Sequence, residues 1–240
     1  MPSEAAKHTF VLVHGAWHGG WCWRRVTDLL TARGHQVFAP TLTGLGERSH
    51  LAYLPVDLSM QIEDVVRVMQ FENLSNVVLV GHSYGGFVVS GVAERMEKAI
   101  RSIVFLDAFV PDNGMSLSDY WPPDRRKLFE DAAASTGWKT IPAPPAAFFK
   151  VNEKDQAWAD SKSVSHPYAC FTEKAKLTGA RERIAKKTYV RAAEYPSTYF
   201  SMFYDKYKND PAWRAYTVPC GHDVMLDMPE RLAEILEEVA

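Results

Sequence analysis

Gly81-His82-Ser83-Tyr84-Gly85 lies where the apolar run NVVLV, starting at Asn76, comes to a stop. A serine hydroxyl is a weak nucleophile until a nearby base takes its proton, so the setting of Ser83 decides whether it can do chemistry. The pattern G-x-S-x-G between a strand and a helix supplies that setting. A turn so tight that glycine must flank it pushes the hydroxyl outward, and the start of the next helix aims the Tyr84 N–H at a developing oxyanion. Without the strand and the helix the same five residues would read as an ordinary Gly-rich loop.

Two further segments supply the partners that such a serine needs. In VLVHGAWHGGWCW the turn after the first apolar run can present the N–H of Ala16 as a second oxyanion donor. Within it, His14 reads as a backbone-bonded loop residue. His18 reads either as a substrate contact or as a solvated loop residue. Trp21 and Trp23 read as packing, as does Trp17, which is also a candidate substrate contact. In YTVPCGHDVMLDMPERL, His222 follows the last strand and precedes the last helix. There a side chain titrating near neutral pH can take the Ser83 proton and return it to a leaving group. Asp223 and Asp227 read as charges at a helix start.

The acid that orients His222 has two candidates. Asp107 ends the apolar run SIVFLD, where a carboxylate is costly to bury unless it meets a hydrogen-bonding or charged partner. Glu194, in TYVRAAEYP, ends the next strand and reads more easily as loop surface. The favoured acid is Asp107, with Glu194 the alternative; the order Ser…Asp/Glu…His admits both.

The elements that must carry these residues are legible as an alternation. Short apolar runs (TFVLV, QVFAP, NVVLV, SIVFL, KTYVRAA, WRAYTV) are separated by amphipathic stretches such as VDLSMQIEDVVRVMQ and PERLAEILEEVA. That is the pattern of a mostly parallel sheet with crossover helices, an α/β fold whose sites collect at the carboxyl ends of strands. From about Pro111 to Lys186 the pattern breaks into Pro-, Trp- and Phe-rich sequence, which reads as a small, mostly helical cap inserted into one domain spanning residues 1–240.

Composition bounds the rest. With 27 basic and 29 acidic residues and no long block of either, no basic stripe is available for nucleic acid. The amino end lacks a basic segment leading into an apolar one, and no window suggests a membrane span, so the expectation is a soluble, cytoplasmic protein. Three cysteines without metal-ligand spacing read as free thiols, and no metal site is expected.

Taken together, FVLVHGAWHGGWCW, VVLVGHSYGG, IVFLDAFVPDNG and GHDVMLDMPERLAEIL make the chain resemble the α/β-hydrolase superfamily. Within it, the resemblance is to the small esterases related to plant methyl-ester esterases and hydroxynitrile lyases. The resemblance implies a cofactor-free serine hydrolase, with Ser83 as nucleophile, His222 as base, and Ala16 and Tyr84 as oxyanion donors. The lyase branch typically carries Thr and Lys where this chain has Gly15 and Asp223, a departure that points to hydrolysis. That branch usually takes its acid from the strand end of Glu194, whereas Asp107 stands where some lipases carry theirs.

The cap supplies Trp121, Phe148 and Phe149 as candidate substrate contacts beside Trp17 and His18, and points to an ester of a hydrophobic small molecule. Arg125 and Arg126 read as solvated. The leading function is carboxylic-ester hydrolysis through an acyl-enzyme. A lyase or cofactor-free oxygenase on the same scaffold, or a ligand receptor, are the alternatives.

Overall fold

Runs of Val, Ile and Leu that are apolar at every position can form strands only where both faces are covered, and that condition shapes the whole chain. The computed structural model describes residues 7–137 and 139–240. Its strands are β1 (Thr9–Val13), β2 (Gln36–Phe38), β3 (Val77–His82), β4 (Ile100–Leu106), β5 (Thr140–Ile141), β6 (His166–Pro167), β7 (Lys186–Ala192) and β8 (Trp213–Val218). Six of them form one sheet in the order β2-β1-β3-β4-β7-β8. Every pair in it is parallel, including Val13 opposite Gly81 and Leu106 opposite Val190. All six residues of β3 are buried.

Helices α1 (Arg24–Ala32), α2 (Leu58–Phe71) and α3 (Gly85–Met96) follow the first three strands. Their burial follows helical spacing: Val26 and Leu30 on α1, and Leu58, Val65 and Met69 on α2, are buried. Asp57 caps α2 by accepting the Met60 N–H at 2.8 Å, a contact of the kind that contributes about 1 kcal/mol.

Between β4 and β7 lie α4 (Pro123–Ser135), α5 (Glu153–Lys162), α6 (Ala169–Thr172) and α7 (Ala180–Arg183). There too, β5 and β6 pair antiparallel, Ile141 opposite His166, as a ribbon too short for sequence periodicity to show. The chain closes through α8 (Thr198–Tyr207), α9 (Val224–Asp227) and α10 (Pro229–Glu238), the last burying Leu232, Ile235 and Leu236. Among the described residues no helix is long and apolar enough to cross a membrane.

The strand order locates the site. After β1 the chain adds β2 on one side and then returns to place β3 on the other, so the loops leaving β1 and β3 diverge above a crevice at their carboxyl ends. Ala16 and Ser83 stand on those two loops.

Candidate active site

Ser83 follows β3 directly and holds φ at 53°, a left-handed conformation that costs a non-glycine residue about 1–3 kcal/mol. Close approach explains its glycine neighbours. A Cβ on Gly81 would lie 2.7 Å from the Gly85 carbonyl oxygen, and one on Gly85 would lie 2.8 Å from that of His14. The Ser83 carbonyl is pinned by the N–H groups of Gly86 and Phe109, each at 3.1 Å. The strained turn is thus held from both β3 and the segment after β4.

His222 stands on the loop between β8 and α9. Its Nδ1 lies 2.7 Å from Asp107 Oδ2, and both residues are buried. The other carboxylate oxygen accepts from Arg191 Nη1 at 2.8 Å and from the Ala192 N–H at 3.1 Å. The carboxylate therefore has a cationic partner and three hydrogen bonds, which is what lets it sit wholly out of water. Around the imidazole, the ring of Phe200 stacks at 5.0 Å and that of Tyr195 at 4.7 Å, while the His222 N–H donates to the Phe149 carbonyl at 2.9 Å. Of the two candidate acids, Asp107 is the one that meets His222. Glu194 is exposed, on a turn where its own N–H bonds the Cys220 carbonyl.

Ala16 and Tyr84 line the cleft into which Ser83 and His222 open. Neither of their amides donates to an acceptor among the described residues, leaving two N–H groups unspent beside the serine. Trp17, at φ 64°, is stitched to the insertion: its N–H donates to His166 Nδ1 at 3.2 Å and its indole N–H to the Ile141 carbonyl at 3.2 Å. Its own carbonyl accepts from the Val164 N–H at 3.0 Å.

His18 and Asp223 depart from their sequence readings together. His18 is neither solvated nor among the residues lining the cleft; it is 3% exposed and lies 2.9 Å from Asp223 Oδ2 through Nε2. Its Nδ1 lies 2.7 Å from the Ala16 carbonyl. The Ala16 carbonyl can only accept, so Nδ1 donates, and a protonated ring satisfies the carboxylate through Nε2 as well. Burial opposes that charge, but the Asp223 carboxylate and the Ala16 carbonyl outweigh it and raise the His18 pKa. Burial likewise opposes the Asp223 charge, and the attraction and hydrogen bond of His18 hold the carboxyl well below its usual range.

Asp223 is thus a buried counter-ion for His18, and it ties the loop bearing Ala16 to the segment that carries His222. His82 adds a second tie, donating through Nε2 to the His222 carbonyl at 3.1 Å.

This pair has a pH signature. A raised His18 pKa contributes stability that is present below the ordinary 6.5 and fades as pH rises through the folded value. A lowered Asp223 pKa contributes stability present above the ordinary 3.8 and lost as pH falls through the folded value. Asp223→Asn leaves a buried cation unpaired and is expected to lower the unfolding free energy by about 3–5 kcal/mol at weakly acid pH. Denaturant titrations should show the difference from wild type shrinking as pH is raised; a constant difference would mean that His18 is neutral.

The cleft is walled by Trp17, Trp121, Phe129 and Phe149. Phe148 does not line it and is 45% exposed, so its reading as a substrate contact is corrected. Arg125, read from sequence as solvated, is partly buried and does line it. Sequence reasoning also passed over Tyr195, Tyr199 and Phe200, which line the cleft from the segment after β7. The signal was available: they follow the carboxyl end of a strand, where sites in such sheets collect.

The alpha/beta hydrolase family profile matches residues 10–235, and the chain belongs to that family. It is 40% identical over 235 residues to the carbendazim hydrolyzing esterase of Nocardioides sp. (strain SG-4G), covering 95% of this chain and 97% of that protein. Methylesterase 1 of Arabidopsis thaliana is 38% identical over 129 residues, 49% of this chain and 46% of that one. Among solved structures, an extracellular alpha/beta-hydrolase from a Paenibacillus species superposes with a TM-score of 0.84 at 24% identity, covering 97% of this chain and 99% of that one, a likeness of fold.

Proposed function

We propose that the protein is a serine esterase that cleaves carboxylic esters of hydrophobic small molecules through an acyl-enzyme. The observation that carries this reading is the convergence of four groups on one cleft: the strained Ser83, a His222 oriented by the buried Asp107, and the unspent amides of Ala16 and Tyr84.

His222 Nδ1–H donates to Asp107, which leaves Nε2 free to accept the Ser83 proton as its oxygen attacks the ester carbonyl. The carbonyl oxygen takes up negative charge, and the two amides stabilise it. His222 then protonates the departing alkoxide. Water, deprotonated by the same imidazole, attacks the acyl-enzyme and releases the acid. The aromatic walls of the cleft suit an apolar substrate, and esterase names among the relatives support the same chemistry.

Two positions favour hydrolysis over the lyase chemistry of similar proteins. A Cβ on Gly15 would lie 2.9 Å from the Ser83 Cβ, so the turn as built does not take a threonine there. Asp223, standing where the lyase branch carries lysine, turns to His18 and brings no cation into the cleft. The three free, buried cysteines fit a reducing compartment, in keeping with a cytoplasmic enzyme.

A fluorophosphonate tests the reading. Incubation with the intact protein should abolish 4-nitrophenyl ester turnover and leave one adduct, mapping by mass spectrometry to Ser83. Inactivation with the adduct elsewhere, or full turnover with Ser83 occupied, would overturn the mechanism.

A further inference from the structure

The cleft is aromatic and apolar apart from the reacting groups and a few hydroxyls, with one exception. Arg125, on α4, is the one Asp, Glu, Lys or Arg among the described residues that line it. Its guanidinium carbon lies 5.6 Å from the ring centre of Phe129 and 5.5 Å from that of Phe148. From Phe129 the contacts run on to Trp17 at 6.3 Å, and from Phe148 to Tyr195 at 6.5 Å and then to His222 at 4.7 Å. The guanidinium therefore sits at the cap-side edge of the cleft, linked through the lining ring of Phe129 to the oxyanion loop and through the exposed ring of Phe148 to the segment beside the base.

Arg125 makes no ion pair among the described residues. The other arginines with carboxylate partners include Arg25, Arg48, Arg183 and Arg191, each holding Asp or Glu within 4 Å. Arg125 instead lies against two aromatic rings, which hold its head group while leaving its N–H donors unspent. A planar fork of donors, positioned in an apolar cleft and lacking a counter-ion, matches a carboxylate, which can take two parallel hydrogen bonds from it. Its field is already felt within the site. Burial pushes the Tyr195 phenol up to about 12, and Arg125 is the first charge opposing that rise.

We propose that Arg125 is a specificity-determining residue that binds a carboxylate carried by the substrate away from the scissile ester, so that the preferred substrates are anionic esters with an apolar body. The proposal rests on the esterase reading above and narrows its substrate class. The chemistry at the ester is unchanged: water cleaves the acyl–oxygen bond, giving an acid and an alcohol, one of which keeps the second carboxylate.

The test compares matched pairs of esters that differ by one charge. Mono(4-nitrophenyl) glutarate against 4-nitrophenyl pentanoate places the charge on the acyl side. 4-(Butanoyloxy)benzoate against its methyl ester places it on the alcohol side. In wild type, at least one anionic member should exceed its neutral partner in kcat/KM. Arg125→Met, which keeps an unbranched stem between the two rings, should lower that anionic-to-neutral ratio on the order of 10- to 100-fold, through the KM of the anionic ester. Arg125→Lys, keeping the charge without the fork, should recover part of it.

The proposal is overturned if wild type prefers the neutral member of both pairs. It is also overturned if Arg125→Met lowers both members of a pair equally, which would make Arg125 a packing bridge between Phe129 and Phe148. Turnover of neutral esters by wild type reports separately on the esterase reading. If no ester of either charge were cleaved, that reading would fail and this proposal with it.

Discussion

Ser83→Ala and His222→Ala are each expected to lower kcat for ester hydrolysis by about 10⁴- to 10⁶-fold, and the double variant should be scarcely worse than either single one. The reason is that neither side chain does anything useful without the other. Ser83 is held on a strained turn at φ 53° with its hydroxyl in the cleft, but a neutral hydroxyl does not attack an ester at an appreciable rate. His222 supplies the proton acceptor, and its only role in the cycle is to serve that hydroxyl, the leaving group and the incoming water.

The residual rate should come from the amides of Ala16 and Tyr84 and from the apolar walls, which remain in every variant. Folding should survive in Ser83→Ala, since the substitution removes one oxygen and keeps the Cβ that the turn already accommodates. Steady-state hydrolysis of a 4-nitrophenyl ester, read beside thermal unfolding of the same samples, checks both statements. A folded Ser83→Ala protein with near-normal kcat would remove the nucleophile from the mechanism.

Much of the fold and part of this constellation could be read from the chain because the signals are local. Each strand of the main sheet is a short apolar run, since both faces of a covered sheet demand it. Ser83, Ala16, Tyr84 and His222 stand out in the sequence because of the strand ends on which they fall. What stayed open depends on side-chain direction or on distant partners. Asp107 and Glu194 lie just past β4 and β7, and their sequence contexts do not say which carboxylate turns toward His222.

His18 and Asp223 were each given a local role, loop and helix start, because their ion pair joins residues 205 apart. Arg125 was assigned to solvent because α4 begins PDRRKLFED, in which charged positions surround the buried Phe129, and no clear apolar face shows which way each arginine points. Phe148 and Phe149 are adjacent aromatics of equal appeal in the sequence. Only their position on the short helix Ala146–Phe149 sends one into the cleft and the other toward water.

Asp107→Asn is expected to lower kcat by about 10⁴-fold, while Glu194→Gln should stay within a few-fold of wild type. The contrast follows from what surrounds each carboxyl. One oxygen of Asp107 accepts from Arg191 and from the Ala192 N–H, both of which can only donate, so an asparagine there must keep its carbonyl oxygen on that side. Its amide N–H₂ then faces His222 Nδ1. That nitrogen must become an acceptor, which moves the imidazole proton to Nε2, and the tautomer so formed cannot take a proton from Ser83.

The same substitution leaves the buried Arg191 guanidinium without its counter-ion, so a loss of a few kcal/mol in stability should accompany the loss of rate. Glu194 is exposed and pairs with neither His222 nor Arg191, so its amide variant should change stability by less than about 0.5 kcal/mol. The decisive measurement is kcat per folded molecule in both variants, with nitrogen NMR of His222 reporting where its proton resides. A proton on Nε2 in Asp107→Asn, together with the rate loss, would tie the carboxylate to catalysis through the tautomer. An inactive Glu194→Gln beside an active Asp107→Asn would mean that His222 turns to the later strand when substrate is bound, and that the buried Asp107–Arg191 pair serves the sheet alone.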